Sequence, residues 1–248
     1  HSTRSDLISS IRAGAGQIAG ARKAQRFRAS LVTVQIAMAT ALLVSAGLFL
    51  KSLVNVTRVD LGVKVDDVVT FRISPDQSGY DSTGFLNLYQ RVDEQLRGLP
   101  QVTGVTMSMV PLIAGSNWGN DVYVQGFPHG PDVDNNSRFN RVGPGYFSTL
   151  GVQMLDGREF TASDVAGSPR VAVVNEAFAK KFNLGRDAVG KFISNEGPDS
   201  LNIQVIGLAK NAKYSEVKDS VPPIFFLAAM QARNAGSMSF YIKTSGDP

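Results

Sequence analysis

From Ala29 to Leu50 the chain runs 22 residues, ASLVTVQIAMATALLVSAGLFL, without a charged side chain, between a basic cluster (Arg22, Lys23, Arg26, Arg28) and Lys51. As a helix this run would be about 33 Å long at ~1.5 Å per residue, which matches the ~30 Å hydrocarbon core of a bilayer. It contains no proline and one glycine, Gly47, near its end. It can be a removable secretion signal, a passive tether or a working part of a membrane assembly, and that choice governs how the rest of the chain is read.

Charge separates these readings only in part. The first 28 residues hold six basic side chains against Asp6, whereas the remainder holds 19 basic and 20 acidic residues. The overall +4 is therefore concentrated beside the apolar run. A nucleic-acid binder carries its excess on a folded domain, so no nucleic-acid partner is expected. The positive-inside rule instead divides the chain into a cytoplasmic linker arm (1–28), a transmembrane helix (29–50) and an extracytoplasmic domain (51–248). Lys51 and Arg58 partly offset that bias. Val44-Ser45-Ala46 resembles a signal-peptidase site, but the arm before the run is long and the run continues past Ala46 to Leu50.

A tether needs only apolar residues, and this segment also carries Ser30, Thr33, Gln35, Thr40 and Ser45. Ala37, Ala41 and Ser45 recur at i, i+4 and i+8, a small-residue face on which another helix can approach closely. Gln35 brings an amide near the cytoplasmic end, where it favours a partner or the interface. Alanine and serine are also common in ordinary spans, so the tether stays open. Upstream, RSDLISSIRAG reads as a short amphipathic helix with Leu7, Ile8 and Ile11 on one face, and GAGQIAGA is expected to break it. That helix fits a membrane surface or a linker equally well.

Beyond Lys51 the pattern is that of an α+β domain with two small lobes. VVTFRIS (68–74) alternates like a half-buried strand, and 83–97 places Phe85, Leu86, Leu88, Tyr89, Val92 and Leu96 near helical period before Gly98-Leu99-Pro100 stops it. VTGVTMSM, DVYVQGF and SRFNRVG read as strands. The second half offers a short helix at PGYFSTLG and a strand in VQMLDGREF with a turn at Asp156-Gly157. VAVVNEAFAKKF then passes from strand to helix, with Asn175 as its N-cap. NIQVIGLAKN, IFFLAA and MSFYIKT are further strands.

Catalytic chemistry finds little support. There are no cysteines, and His129, in GFPHGPD, is the one histidine beyond the first residue. A Ser–His129–Asp arrangement would need a nucleophile elbow, and no G-x-S-x-G is present. DVDNN (132–136) starts like a calcium loop but lacks the glycine at position 6 and the closing glutamate at position 12. Asp156, Glu159, Asp164 and Glu176 are candidate carboxylates that sequence alone does not pair. GPGYFSTLG departs from G-x-G-x-x-G, so no nucleotide motif appears and no cofactor or metal site is expected.

The ordered strings carry a resemblance. RFRASLVTVQIAMATALLVSAGLFLKSLVNV with its following D-L-G-V resembles the start of a half-unit in MacB/FtsX-like ABC transporter permeases. YFSTLGVQMLDGREFTASD, VAVVNEAFAKKF with GRDAVGK, and IQVIGLAKNAKYSEVKD with PPIFF resemble the periplasmic core domain of that family, in the same order. SDLISSIRAGAG resembles the cytoplasmic linker between the halves of a duplicated permease. The resemblance implies the opening of a second half, lodged in a bacterial inner membrane. It also implies that the His1 start and SGDP end bound a piece of a longer chain, with three further spans after the domain. Its partners would be a separate ATP-binding subunit, other helices of the same permease, and a periplasmic protein. The implied function is relay of ATP-driven motion to the extracytoplasmic domain, with no catalytic residue in this region. In the string Tyr146–Asp164, the residues Tyr146, Phe147, Val152, Met154, Leu155 and Phe160 are expected in the core, with Gly151 and Gly157 at turns. The rival readings are a single-span sensor or binding ectodomain, and a membrane-anchored hydrolase using His129.

Overall fold

The structure, a computed structural model, describes residues 4–57, 61–75, 82–115, 118–214, 220–232 and 236–246, with side chains from Lys23 onward except at 56–57 and 82–83. The chain divides into two units, His1–Val59 and Asp60–Pro248.

The first unit is one helix, α1 (Arg4–Thr57), of 54 residues. It runs through GAGQIAGA, where the glycines were expected to end a shorter helix. Each interior glycine costs a helix about 1 kcal/mol relative to alanine, and the alanines interleaved with them are the best helix formers. No proline interrupts the run. Lys23–Asn55 is long and apolar enough to cross a membrane by length and composition, and none of it is buried within the fold. Its hydroxyls return to the helix backbone: Ser30 donates to Phe27 O, Thr33 to Ala29 O, Thr40 to Ile36 O and Ser45 to Ala41 O, at 2.8–2.9 Å. That back-bonding removes the cost of placing a hydroxyl among apolar side chains.

The second unit begins with β1 (Val68–Ile73), α2 (Ser82–Arg97), β2 (Val102–Ser108), β3 (Gly119–Asp121), β4 (Tyr123–Val124) and β5 (Asn136–Val142). It continues with α3 (Tyr146–Thr149), β6 (Met154–Gly157), β7 (Val171–Asn175), α4 (Glu176–Lys181), β8 (Phe192–Ser194) and β9 (Ile203–Ala209). β10 (Ile224–Ala228), a 3-10 turn (Ala229–Gln231) and β11 (Met238–Thr244) complete it. The strands form one mixed sheet in the order β1-β11-β2-β5-β10-β7-β9-β8-β4, with β3 against β5 and β6 against β9.

The two lobes are the two ends of this sheet. β1, β11 and β2 form an antiparallel ribbon covered by α2, where Phe85 and Tyr89 pack on Met107, Met238 and Phe240. The ribbon meets the remainder at one residue pair, Ser108 opposite Val142, flanked by hydrogen bonds from Met109 N to Arg141 O and from Gly143 N to Met107 O. In the larger end, β5 and β10 run parallel, β10 and β7 antiparallel, and β7 and β9 parallel.

Strands buried on both faces read as continuous apolar runs, and VAVVN and IFFLA are buried at every position. Phe226 and Val173 point to one core with Tyr146, Phe147 and Phe160. Phe225 and Val174 point to the other, with Phe178 and Phe182 of the α4 segment. Asn175 joins these elements as the expected N-cap. Its Oδ1 accepts from Phe178 N at 2.9 Å and from Ile224 N at 3.0 Å, and its Nδ2 donates to Pro222 O at 2.9 Å.

Two further expectations change. β1 is an edge strand with Val69 and Phe71 exposed, though Phe71 stacks on Phe240 at 5.4 Å. Leu155 is exposed and Met154 half-buried, because the pairing of β6 with β9 slips between Met154 and Asp156 and turns Leu155 outward.

Phe225 is fully buried, between Phe139 (5.8 Å) and Phe178 (6.1 Å). Phe225→Ala is expected to cost about 3–5 kcal/mol, from lost burial and a residual cavity. Guanidinium unfolding of the solubilised chain measures this.

Candidate functional site

On α1, Ala37, Ala41 and Ser45 fall in one row along the axis, and the flanking large side chains, including Leu42 and Leu48, are exposed. At 3.6 residues per turn Gln35 sits about 160° around from Ala37, so it does not share that row. Lys23, Arg26 and Arg28 are exposed just before the apolar run. The side chain of Arg22, and all of Arg58, lie outside the described residues.

At the start of the second unit, the strand-free segment Leu61–Lys64 is fixed against the larger end of the sheet. Lys64 N donates to Leu150 O at 2.7 Å and Lys213 N to Leu61 O at 2.8 Å. Two glycines permit this contact. Gly62 has φ +68°, and a Cβ there would stand 2.7 Å from Asn211 O. Gly151, at φ +67°, would press a Cβ within 2.9 Å of the Lys64 side chain. Asn211 in turn accepts from Ala177 N through Oδ1 (3.0 Å) and donates its backbone N–H to Glu176 Oε2 (2.9 Å). The first residues of the domain are thus tied to the start of α4 and, through Asn175, to β7 and β10. Sequence reasoning passed over Gly62, whose need for positive φ only a turn assignment could have revealed.

The candidate carboxylates are each engaged. Glu159 Oε2 accepts from Phe147 N and Ser148 N at the start of α3, and Asp156 Oδ1 accepts from Gly157 N. Asp164 is buried and takes both arms of Arg158, at 2.8 and 2.9 Å, together with Thr161 N at 2.8 Å. The Arg158 guanidinium holds the Asp164 carboxyl below the usual aspartate value of 3.8, against the opposing effect of burial, with the Thr161 N–H adding to it. Gly157, at φ +70°, lies where a Cβ would meet Ile206 O at 2.1 Å, so the β6–β9 approach requires glycine.

His129 is exposed in a recess of about 290 Å³ with Tyr123, Asp121 and Asp134, edge-on to Tyr123 at 6.1 Å. Among the described residues lining it there is no serine or threonine. Asp134, of the calcium-like DVDNN, is bound to Lys181 Nζ at 2.8 Å and accepts from Asn136 N at 3.0 Å. Among the described residues no group of three or more metal-ligating side chains occurs.

A cleft of about 840 Å³ lies at the ends of β5 and β10 and the start of β7. Gln231 fixes one wall, accepting from Val171 N (3.1 Å) and donating to Ser168 Oγ and Pro169 O (both 2.8 Å). Arg170 is paired with Glu196 at 2.9 Å and also reaches Asn202. Arg141 is half-buried, its guanidinium touching Met109 Sδ at 3.9 Å with no carboxylate partner among the described residues. Burial pushes the Arg141 guanidinium below its ordinary value, and the neighbouring charge of Arg170 acts in the same direction.

A protein-family model described as the MacB-like periplasmic core domain matches residues 30–246. Comparison with the curated proteins gives no match. Among solved structures, the periplasmic region of MacB from Actinobacillus actinomycetemcomitans is similar at 16% identity and a TM-score of 0.47, covering 75% of this chain and 78% of that one. The extracellular domain of the ABC-type transporter YknZ from Gram-positive bacteria is similar at 16% identity and a TM-score of 0.43, covering 63% and 73%.

Gly62→Ala is expected to destabilise the domain by roughly 1–3 kcal/mol, since alanine at positive φ is strained and its methyl meets Asn211; the shift in thermal midpoint reads this out. The carboxyl of Asp164 is depressed in the folded state, so its contribution is complete above about pH 4 and fades as pH falls through the folded value. Asp164→Asn should lower stability at pH 7 by about 1–2 kcal/mol and flatten the acid limb of a stability–pH profile.

Proposed function

We propose that this chain, which belongs to the MacB-like periplasmic core domain family, is part of the membrane subunit of an ABC-type transporter or mechanotransmission complex. The observation that carries this reading is the extent of the family match. It begins at residue 30, inside the apolar part of α1, and runs to residue 246, so helix and domain are matched as one unit.

In this reading residues 29–50 cross a bacterial inner membrane, with arm 1–28 in the cytoplasm and 51–248 outside, as the basic cluster favours. The Ala37/Ala41/Ser45 row receives another helix of the same permease, and Gln35, on the far side, meets a second helix or the interface. A separate ATP-binding subunit supplies the energy, and a periplasmic protein takes up the motion. The chain itself performs no catalysis. Leu61–Lys64, the described segment of the domain that follows the span in sequence, is fixed within the domain to Leu150 and Lys213. The opening of the second half of a duplicated permease is the place in the parent chain that fits the basic arm.

Because the sequence has no cysteine, single cysteines can report topology cleanly. In intact cells a membrane-impermeant maleimide should label Ser52→Cys and spare Lys23→Cys; the opposite pattern reverses the orientation. In the parent permease, Ala41→Leu should reduce ATP-dependent activity several-fold, while Leu43→Ala, on the opposite side of α1, should leave it unchanged. Full activity after replacing residues 29–50 with polyleucine would instead identify a single-span sensor or binding ectodomain.

A further inference from the structure

We propose that the cleft at the ends of β5 and β10 binds a small amphipathic monoanion, with its charged group on Arg141 and its apolar body against Met109, Trp118 and Leu227. This does not rest on the permease reading, because the cleft lies wholly within the second unit.

The charge of Arg141 carries the first part. A half-buried guanidinium has lost part of its hydration, and such a group is ordinarily compensated by a carboxylate. Arg97, Arg158 and Arg170 each meet one. Arg141 meets a thioether and faces a second cation. An anion entering the cleft supplies the missing partner, and a carboxylate matches the guanidinium fork in geometry.

The walls carry the second part. The volume of about 840 Å³ lies within the ~300–1,000 Å³ typical of small-molecule sites. Met109, Trp118, Leu227 and Ala228 present apolar surface beside the arginines. Trp118 is 53% exposed, which leaves ring surface for a ligand to cover, and it is held edge-on to Phe139 at 6.2 Å. A bare hydrated ion gains nothing from these walls.

The charge count sets the third part. Glu196 already engages Arg170, so among the described residues lining the cleft Arg141 is the one cation without a carboxylate. A monoanion balances it, whereas a polyanion would have to displace Glu196. Gln231, bonded at both ends of its amide, keeps the opposite wall in place before any ligand arrives, which lowers the ordering cost of binding.

Trp118 is the sole tryptophan, so its emission reports on the cleft in the full chain reconstituted into phosphatidylcholine vesicles. Titration with sodium octanoate should produce a saturable change. Octanamide and inorganic phosphate should each bind at least about tenfold more weakly, as expected for loss of one charge-assisted contact or of the apolar body. Arg141→Gln should weaken octanoate by a similar factor with an unchanged circular dichroism spectrum, and Arg141→Lys should fall between. Equal responses to octanoate and octanamide, phosphate binding as tight as octanoate, or no saturable change would each overturn the proposal. These comparisons use the unsubstituted protein, so they decide the matter even where Arg141→Gln fails to fold.

Discussion

The domain depends on two adjacent strands that have no solvent face. β7 and β10 are buried at every residue, and each sends alternate side chains into opposite cores. Antiparallel to one another, they are each parallel to their outer neighbour, so the backbone groups of both are consumed on both edges. Such strands can exist only if both faces are covered, which obliges α3 with its aromatic pair to lie on one side and α4 on the other. Asn175 then fixes where β7 ends, where α4 begins and where β10 enters, all with one buried amide. From that centre the positions of β9, β6 and the fixed segment Leu61–Lys64 follow.

Much of this was legible in the sequence because burial and periodicity coincide there. VAVVN and IFFLA announce themselves as doubly buried strands, the N-cap at Asn175 obeys local chemistry, and Phe85 and Tyr89 keep helical spacing. The failures have physical causes of the opposite kind. β8 is three residues long, and its place is set by pairing with β9 and β4 rather than by its own pattern. Leu155 looks like core in any alternating reading, and a register slip that depends on β9 puts it in solvent. The glycines upstream of Lys23 read as breakers, yet the alanines between them sustain one helix. VVTFRIS alternates as a half-buried strand should, but its position at the sheet edge leaves most of it exposed.

The candidate sites divide in the same way. The apolar span, its small-residue row and its basic flank are properties of contiguous sequence and could be read directly. The cleft could not, because it assembles Met109, Arg141, Arg170 and Gln231 from four separate parts of the chain. Nothing near Arg141 in SRFNRVG indicates that it would meet no carboxylate among the described residues. That fact belongs to the topology, which sends Glu196 to Arg170 instead.

The seam between β2 and β5 has a mechanical meaning. Two backbone hydrogen bonds around Ser108 and Val142 are a short weld between two much broader plates. Resistance to twisting across that weld therefore falls on side chains, chiefly the buried Asn140 of β5. Its Oδ1 accepts from Val110 N at 3.0 Å and its Nδ2 donates to Val110 O at 2.9 Å, just past the end of β2, while the Tyr241 ring of β11 stands against Tyr146 at 6.4 Å. A single buried amide thus serves as a strut of the domain, and its fit, more than the length of any strand, sets how stiffly the two plates turn together.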